Sequence, residues 1–370
     1  MRSGGRCVVC NRYLLEGKLS GREVTFGELA HIVGQAPTAE SPRALDDLDP
    51  AERDDPENLV LICEDEHEEI DKRGTRDLFA VDLLREMKRA HEERIRHVTS
   101  FAADRSTVVL RVIGQLRGTS VEVDTEATAS AVIRSAGRFP RFDLAFDRRS
   151  VEIDLRDVPG EPEADSSYYA QATATIDQVI EHKLHEGVQR DAVQHLSVFA
   201  FARVPLLVYL GSRLDDTVPT DIYQRHRSTG NWEWPGGDSV HFEVEKPKSR
   251  TAVTAAALVL NVSGSIASDE LPGEVGSLPR FVLAPSSAVP SPDLVNSAEA
   301  LAAFESSLRE LLAWIEANHK SIRRLHVFAA VPLSAAVTLG RVRADEVHPA
   351  LLLYDRGENG YHPALEIGEP

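Results

Sequence analysis

All three cysteines of this chain fall within its first 63 residues. Cys7 and Cys10 form a C-V-V-C knuckle, and Cys63 follows the apolar run Leu59-Val60-Leu61-Ile62, four residues before His67. His31 and Asn58 lie between the knuckle and the third thiol. A segment this short has too little core to hold its shape unaided, so the thiols read as ligands of a structural zinc ion around which a small domain folds. A redox pair would want a preceding strand–helix context that the knuckle lacks. An odd number of thiols argues against a disulfide framework and for a reducing, cytoplasmic setting.

The length of 370 residues suits two or three domains. The chain is 42% hydrophobic and 27% charged. It has no N-terminal signal segment and no apolar run near the roughly 18 residues a membrane span needs, so a soluble protein without a membrane partner is expected. The formal charge is -18, and the first 100 residues hold 15 Lys/Arg against 22 Asp/Glu. Bulk electrostatics therefore do not favour nucleic acid. Any DNA contact must come from local basic patches and divalent cations, and would strengthen when several copies act together.

Residues 1 to about 75 read as a knuckle, a strand pair, a long loop and a short helix. Gly21 to Ile32 alternates around Val24, Phe26 and Leu29 as a hairpin arm does, and residues 34–57 are Pro- and Asp-rich like an exposed loop. Residues 77–97 carry Leu78, Val81, Leu84, Met87, His91 and Ile95 at helical spacing. From about residue 105 strands and helices alternate, the rhythm of an open α/β sheet. Strands are expected at Val108–Val112, Ser150–Leu155, Leu196–Ala202, Ala255–Val262 and Leu325–Val331, with helices at Thr125–Ser135, Ser167–Glu186 and Ser297–Ala317.

A degenerate repeat runs through this part. Val198 to Pro205, then Gly211, Pro219 and Tyr223, parallels Val327 to Pro332, then Gly340, Pro349 and Tyr354. Each copy reads as a buried strand, a proline exit, an apolar helix stopped by glycine, and a second strand ending in tyrosine. Two such halves predict a pseudo-dimer whose ligand cleft lies at the carboxyl ends of the strands.

The N-terminal segment resembles the HNH family of ββα-metal nucleases. Ala30-His31-Ile32 stands at the first histidine motif, Glu57-Asn58-Leu59 at the asparagine motif, and Cys63 to Asp71 at the final motif. Phosphodiester hydrolysis needs a base near neutral pH and a cation beside the leaving oxygen. The resemblance makes His31 the base, His67 the Mg²⁺ ligand, and Asn58 the residue that fixes the loop or the His31 ring. Ala30 replaces the aspartate many relatives use as a second metal ligand, leaving Glu69 or Asp71 as substitutes. Glu66 stands at the fourth zinc position. Three readings follow: Glu66 joins Cys7, Cys10 and Cys63 on zinc, His67 is recruited to zinc instead, or the knuckle is zinc-free.

Residues from about 105 onward resemble the SAVED domain, a fusion of two CARF-like subdomains that senses cyclic oligonucleotides. The carriers are Pro205 to Gly211, Asp221 to Arg227, Asn231-Trp232-Glu233-Trp234, Ala257 to Ile266 and Phe328 to Gly340. Stacking on aromatic rings and binding of phosphates by cations or backbone N–H groups would hold such a ligand. Candidate contacts are Tyr223, Arg225, His226, Trp232, Trp234, Lys246 (with Lys248 beyond Pro247), Ser263, Gly264, Pro332, Ser334 and Tyr354.

Together, an HNH domain over residues 1–98, including a linker helix, and a SAVED sensor over 105–370 resemble the HNH–SAVED effectors of CBASS anti-phage defence. The resemblance implies an enzyme: a Mg²⁺-dependent endodeoxyribonuclease cutting double-stranded DNA. A cyclic di- or trinucleotide would activate it through assembly into a dimer to tetramer. A restriction-type HNH nuclease that reads modified DNA, or a nucleotide-sensing regulator with an inactive HNH module, are the alternatives.

Overall fold

The computed structural model describes residues 2–15, 27–38, 40–44, 47–99, 105–142, 151–214, 217–237, 239–247 and 252–370. Residues 21–26 of the expected hairpin arm, Ser150 and Lys248 lie outside them. The chain divides into two compact units, Met1–Ala102 and Ala103–Pro370.

In the first unit, β1 (Gly27–His31) pairs antiparallel with β2 (Leu59–Cys63), setting His31 opposite Leu59. Helix α1 (Glu64–Asp71) starts directly after Cys63, with Glu64, Asp65 and Glu66 in the first turn, where carboxylates suit the helix dipole. Helix α2 (Val81–Thr99) buries Leu84, Lys88 and His91. The helix expected from residue 77 is broken at Phe79: Arg76–Leu78 form a separate short turn. Leu78 thereby falls outside the α2 periodicity and is 72% exposed. Cys7, Leu14, Ala30, Ile32, Val60, Ile62, Ile70 and Leu84 make the core.

The second unit begins with β3 (Ser106–Ile113), β4 (Gln115–Leu116), β5 (Thr119–Ser120), α3 (Thr125–Ala131), β6 (Phe139–Arg141) and β7 (Glu152–Asp154). It continues through α4 (Ser166–Val179), α5 (Glu186–Gln189), β8 (Leu196–Phe201), α6 (Val204–Arg213) and β9 (Thr220–Tyr223). Apart from β4 and β5, which pair antiparallel with each other, these strands form a parallel sheet in the order β6-β3-β8-β9, with β7 also on β3. A second sheet follows from β10 (Phe242–Glu245), β11 (Ala255–Asn261), α7 (Gly273–Gly276), β12 (Arg280–Pro285), α8 (Ala298–Asn318), β13 (Arg324–Ala330), α9 (Leu333–Arg341), β14 (Ala350–Gly357) and β15 (Gly360–Ile367). Its order is β10-β12-β11-β13-β14-β15, parallel in the centre and antiparallel at both edges.

Every residue of β8 is buried, as a strand covered on both faces requires. Val198 and Ala200 join one cluster with α4, α6, α8 and α9, while Phe199 and Phe201 face the other side of the sheet with Tyr223 and Trp232. The repeat is real in space: β8-α6-β9 and β13-α9-β14 are parallel crossovers of the same kind. Two of its details differ from the sequence reading. Gly211 and Gly340 sit within α6 and α9 rather than ending them, because each admits the backbone of the other helix. Tyr354 lies inside β14, which runs on to Gly357 and turns back into β15.

Candidate functional site

The knuckle is built by backbone geometry. Asn11 takes a left-handed conformation (φ 60°), and its N–H donates to the Cys7 carbonyl across a 3.0 Å bond. The Val8 N–H donates to the Leu61 carbonyl (2.9 Å), which ties the knuckle to β2 two residues before Cys63. The three sulfur atoms lie within 4.8 Å of one another, and Cys10 and Cys63 are 3.8 Å apart. A tetrahedral centre with metal–thiolate bonds of about 2.3 Å puts its sulfurs ~3.8 Å apart, so the donors fit a soft metal ion. Burial pushes the Cys10 thiol up to about 11, and the neighbouring thiols add to it. Burial also opposes a Cys7 thiolate, but backbone N–H groups of Cys10, Cys63 and Val9 outweigh it and bring Cys7 below its ordinary value. Glu66 and His67 are not in this cluster, which is the only such group among the described residues.

His31 ends β1, and its Nε2 lies 2.8 Å from Asp54 Oδ1. That contact, then Gln35, holds the Asp54 carboxyl below the usual carboxylate range. Asn58 is buried and does not touch the His31 ring among its bonds. Its Oδ1 accepts from Val33 N (2.9 Å), and its Nδ2 donates to the Val33 and Arg53 carbonyls. It therefore staples the loop onto the end of β1, one of the two roles the sequence left open. Arg53, also buried, reaches the Gly34 and Ala44 carbonyls and closes the same loop.

His67 projects from α1 between two carboxylates. Its Nδ1 is 2.5 Å from Glu28 Oε2 on β1, and its Nε2 is 3.3 Å from Asp71 Oδ2 one turn on. Of the two expected substitute ligands, the helix brings Asp71 to His67 and leaves Glu69 exposed. For a hard cation, His67 and Asp71 would supply the donors and Glu28 would orient the ring. Arg43 joins both histidine neighbourhoods. It is largely buried, and it donates from Nε to the Ile32 carbonyl (2.6 Å) and from Nη2 to Asp71 Oδ1 (2.6 Å). Asp54, Glu28 and Arg43 were not legible in advance, since nothing in their local spacing separates them from surface charge. Arg43 alone carries a backbone signature, a positive φ of 55°.

In the second unit most of the sequence candidates are packed inside. Tyr223 stacks on Phe199 at 4.3 Å between centroids, and Trp232 meets the same ring edge-on at 5.3 Å. Tyr354 stacks on Phe328 in the equivalent place, also at 4.3 Å. Trp232 and Trp234 lie in an irregular loop rather than on a strand, closed by the His226 N–H to the Asn231 carbonyl. His226 and Ser334 are buried, as is Pro332; the Ser334 N–H donates to Gln224 Oε1 (3.0 Å). Lys246 is exposed at the sheet edge, 4.5 Å above the Trp314 ring. Arg225 and Trp234 are half-buried, and Trp234 sits 5.5 Å from the His226 ring.

Ser263 and Gly264 remain half-exposed just past the carboxyl end of β11. A β-carbon on Gly264 would meet only Ala330 Cβ, 4.0 Å away, so its backbone is open to a ligand. Between the halves at these strand ends lies a buried network absent from the sequence reading. Arg203, just before α6, donates to Glu161 Oε1 (2.8 Å) and to Asp355 Oδ2 (2.6 Å) at the far end of β14. Tyr169 OH also donates to Asp355 Oδ2 (2.7 Å), and the Arg117 and Gly118 N–H groups cap Glu161. Burial opposes the Arg203 charge, yet Asp355 and Glu161 hold it above its ordinary value.

No helix among the described residues is long and apolar enough to cross a membrane. No curated protein matches the sequence. Among solved structures, the chain is similar to the Acinetobacter baumannii Cap4 SAVED/CARF-domain containing receptor with the cyclic trinucleotide 2'3'3'-cAAA. The TM-score is 0.46 and the identity 16%, over 78% of this chain and 61% of that one. The same receptor with 3'3'3'-cAAA gives 0.46 and 16%, over 78% and 62%. The Moraxella osloensis Cap4 SAVED/CARF-domain containing receptor gives 0.41 and 18%, over 61% and 49%. The chain thus spans about three fifths of the length of the Acinetobacter receptor. The profile of the SMODS-associated and fused to various effectors sensor domain matches residues 176–367, just over half of the chain, which therefore belongs to the SAVED family.

Proposed function

We propose that the chain is a cyclic-oligonucleotide-activated, Mg²⁺-dependent HNH endonuclease that cuts double-stranded DNA in CBASS anti-phage defence. The observation that carries this reading is the β1–loop–β2–α1 arrangement. It carries His31 at the end of β1 and His67 on α1, in the same unit as a three-thiol cluster and in a chain whose other unit belongs to a sensor family described as fused to effectors. In this reading zinc on Cys7, Cys10 and Cys63 holds the effector unit together; Glu66, the fourth ligand expected from the sequence, lies outside the cluster. His31 takes the proton of the attacking water, Asp54 fixes its ring through Nε2, and Asn58 fixes the strand end that carries it. His67 and Asp71 would hold the Mg²⁺, which supplies charge for the leaving oxygen.

The activator is a cyclic di- or trinucleotide at the carboxyl ends of the two sheets, where the backbone of Ser263 and Gly264 is open. The buried Tyr223, His226, Trp232, Pro332, Ser334 and Tyr354 then support the floor, and Arg225, Trp234 and Lys246 stay near the surface. Ligand binding assembles a homodimer to tetramer, which supplies the avidity an acidic single copy lacks. Three cysteines outside any disulfide suit the cytoplasm.

The test incubates the full chain and plasmid DNA with Mg²⁺, alone and with a panel of cyclic di- and trinucleotides. Cutting only with one of these nucleotides, abolished by His31→Ala while the nucleotide still binds, is expected. Cutting without any nucleotide overturns the gating in favour of a restriction-type nuclease. Nucleotide binding with no cutting overturns the nuclease in favour of a regulator.

A further inference from the structure

The sensor unit has a cavity that shares Tyr223 and Trp234 with the proposed activator contacts but is otherwise lined by residues which that reading does not use. It encloses about 400 Å³ beside the edge strand β9, a volume within the range of small-ligand sites. Its location is set by the strands. Arg105 immediately precedes β3, Arg138 immediately precedes β6, and Thr220 opens β9. The cavity therefore runs along the whole of β9, from the amino-end side of the parallel sheet to Tyr223 at the other end of the strand. Ser263 and Gly264 are not among its lining residues and stand past the carboxyl end of β11 in the second sheet.

Its lining is unlike the rest of this acidic chain. Three guanidinium groups, from Arg105, Arg138 and Arg341, face two carboxylates, Asp221 and Glu305. Glu305 is held by Arg309 one turn along α8 at 2.8 Å. Arg138 stands 3.8 Å from Asp221, too far for a hydrogen bond, so that pair does not consume its donors. Arg341 is anchored by Nη2 to the Val218 carbonyl (2.8 Å), which fixes its plane. The half-buried Trp234 indole forms an aromatic wall, and the amino end of the 21-residue helix α8 opens onto the same space.

Behind Asp221 lies the buried His195. Its Nε2 is 3.7 Å from Asp221, and its Nδ1 is 2.9 Å from Thr107 Oγ1. Burial holds His195 below its ordinary value, so near neutral pH it adds no second positive charge to compete for Asp221. Asp221 is thus available as an acceptor.

Clustered guanidiniums, an indole face and one carboxylate match the parts of a nucleotide: phosphate, base and ribose or exocyclic N–H donors. We propose that this cavity is a second binding site of the sensor unit, for a free purine nucleoside monophosphate. The phosphate lies on Arg105 and Arg138, the base against Trp234, and Asp221 accepts from the ribose or base. The site does not depend on whether the first unit cuts DNA, and its arginines lie outside the activator contacts proposed above. β9 also gives it a route to the rest of the fold, since Gln224, directly after this strand, accepts the Ser334 N–H at the start of α9.

The experiment is calorimetric titration of the full chain with adenosine 5'-monophosphate, guanosine 5'-monophosphate, adenosine and inorganic phosphate. A purine monophosphate is expected to bind more tightly than adenosine or phosphate. Arg138→Gln should weaken it about tenfold or more, the usual scale for losing a charge-assisted contact. Trp234→Leu should weaken the monophosphate while leaving phosphate unchanged. Gly264→Trp, past the carboxyl end of β11, should leave the monophosphate affinity intact. Circular dichroism melts of each variant confirm that it folds, and for any that does not, Arg105→Gln replaces it. Absence of monophosphate binding overturns the proposal, as does binding insensitive to both Arg138→Gln and Trp234→Leu. Loss through Gly264→Trp also overturns it, because the ligand would then sit at the carboxyl end of β11.

Discussion

Gly211 and Gly340 lie at the crossing of α6 and α9, each against the backbone of the other's helix. A β-carbon at Gly211 would stand 2.0 Å from the Val337 carbonyl oxygen, and one at Gly340 would stand 1.8 Å from that of Val208. Val208 and Val337 are themselves equivalent in the repeat, so the contact is reciprocal, as at a two-fold interface. The two halves are therefore joined as a pseudo-dimer at a place where nothing larger than hydrogen fits.

This gives the first prediction a clean sign. In an ordinary helix Gly→Ala stabilises by about 1 kcal/mol. Here the obstacle is backbone, which cannot rotate aside, so Gly211→Ala and Gly340→Ala should each destabilise by about 1–3 kcal/mol or more. Urea unfolding of the full chain measures it. A gain in stability in either variant would show that the helices do not cross this closely.

The Arg203 network predicts an asymmetric mutant cycle. Side chains of Arg203 and Glu161 are each 4% exposed, and Asp355 is 10% exposed. Removing Arg203 leaves two buried carboxylates without their cation, at a cost of about 3–5 kcal/mol. Arg203→Met combined with Asp355→Asn and Glu161→Gln should recover much of that loss, because no uncompensated charge remains. Equal destabilisation of the single and triple variants, read by denaturant melts, would mean the charges contribute little.

Four histidines, two buried and two half-buried, set a pH dependence. Burial is the first cause lowering His195, His226, His326 and His348, with nearby arginines adding for His195, His326 and His348. The carboxylates facing them work the other way: Asp221 on His195, Asp293 on His226, Glu274 and Glu366 on His326, and Glu316 on His348. His226 Nε2 is buried with no partner, so a proton there would place an unpaired charge in the core. The folded values lie below the unfolded value of 6.5, so below that pH the unfolded chain binds more protons. Stability should be level above about pH 7 and fall as the pH drops from 6.5 through the depressed values. Urea midpoints at pH 7.5, 6.5 and 5.5 check this, and His195→Gln should flatten the decline. A midpoint that does not move across this range would contradict it.

What the sequence revealed follows from which interactions are local. The strand–helix alternation of the second unit is carried by continuous apolar runs such as Leu196–Phe201, and these are found within a few residues of where they were expected. The knuckle and its third cysteine were also legible, because backbone bonds from Val8 to Leu61 need only the β2 pattern. The side-chain partners were not. Asp54 reaches His31 across 23 residues, Glu28 reaches His67 across 39, and Arg203 reaches Asp355 across 152. No periodicity records such pairs. The aromatic residues show a different kind of ambiguity. Tyr223, Trp232 and Tyr354 interleave with polar residues as ligand contacts do, yet each fills the outer face of its sheet.

The thiol cluster predicts metal-dependent stability confined to the first unit. If Cys7, Cys10 and Cys63 hold zinc, the purified chain should carry about one zinc ion per copy, measured by elemental analysis. A strong chelator should then expose all three thiols to alkylation and lower the melting transition of that unit alone. Cys63→Ser should do the same without chelator. Full thiol reactivity before chelation would rule out a metal centre.

Asp54 and Arg43 supply the most direct test of the catalytic geometry, since neither would be changed on grounds of the histidine motifs alone. Asp54 holds the His31 ring through Nε2, and partners of this kind typically tune their ring by 10–100-fold in activity. Asp54→Asn should therefore slow activated DNA cleavage by about that factor and shift its pH profile, with nucleotide binding unaltered. Arg43 spans from the Ile32 carbonyl to Asp71, fixing the base relative to the carboxylate beside His67. Arg43→Lys keeps the charge but loses the second arm. It should raise the Mg²⁺ concentration needed for half-maximal cutting while leaving the pH profile in place. If Asp54→Asn alters only the Mg²⁺ requirement, or Arg43→Lys only the pH profile, the roles given to the two sides of the site are wrong.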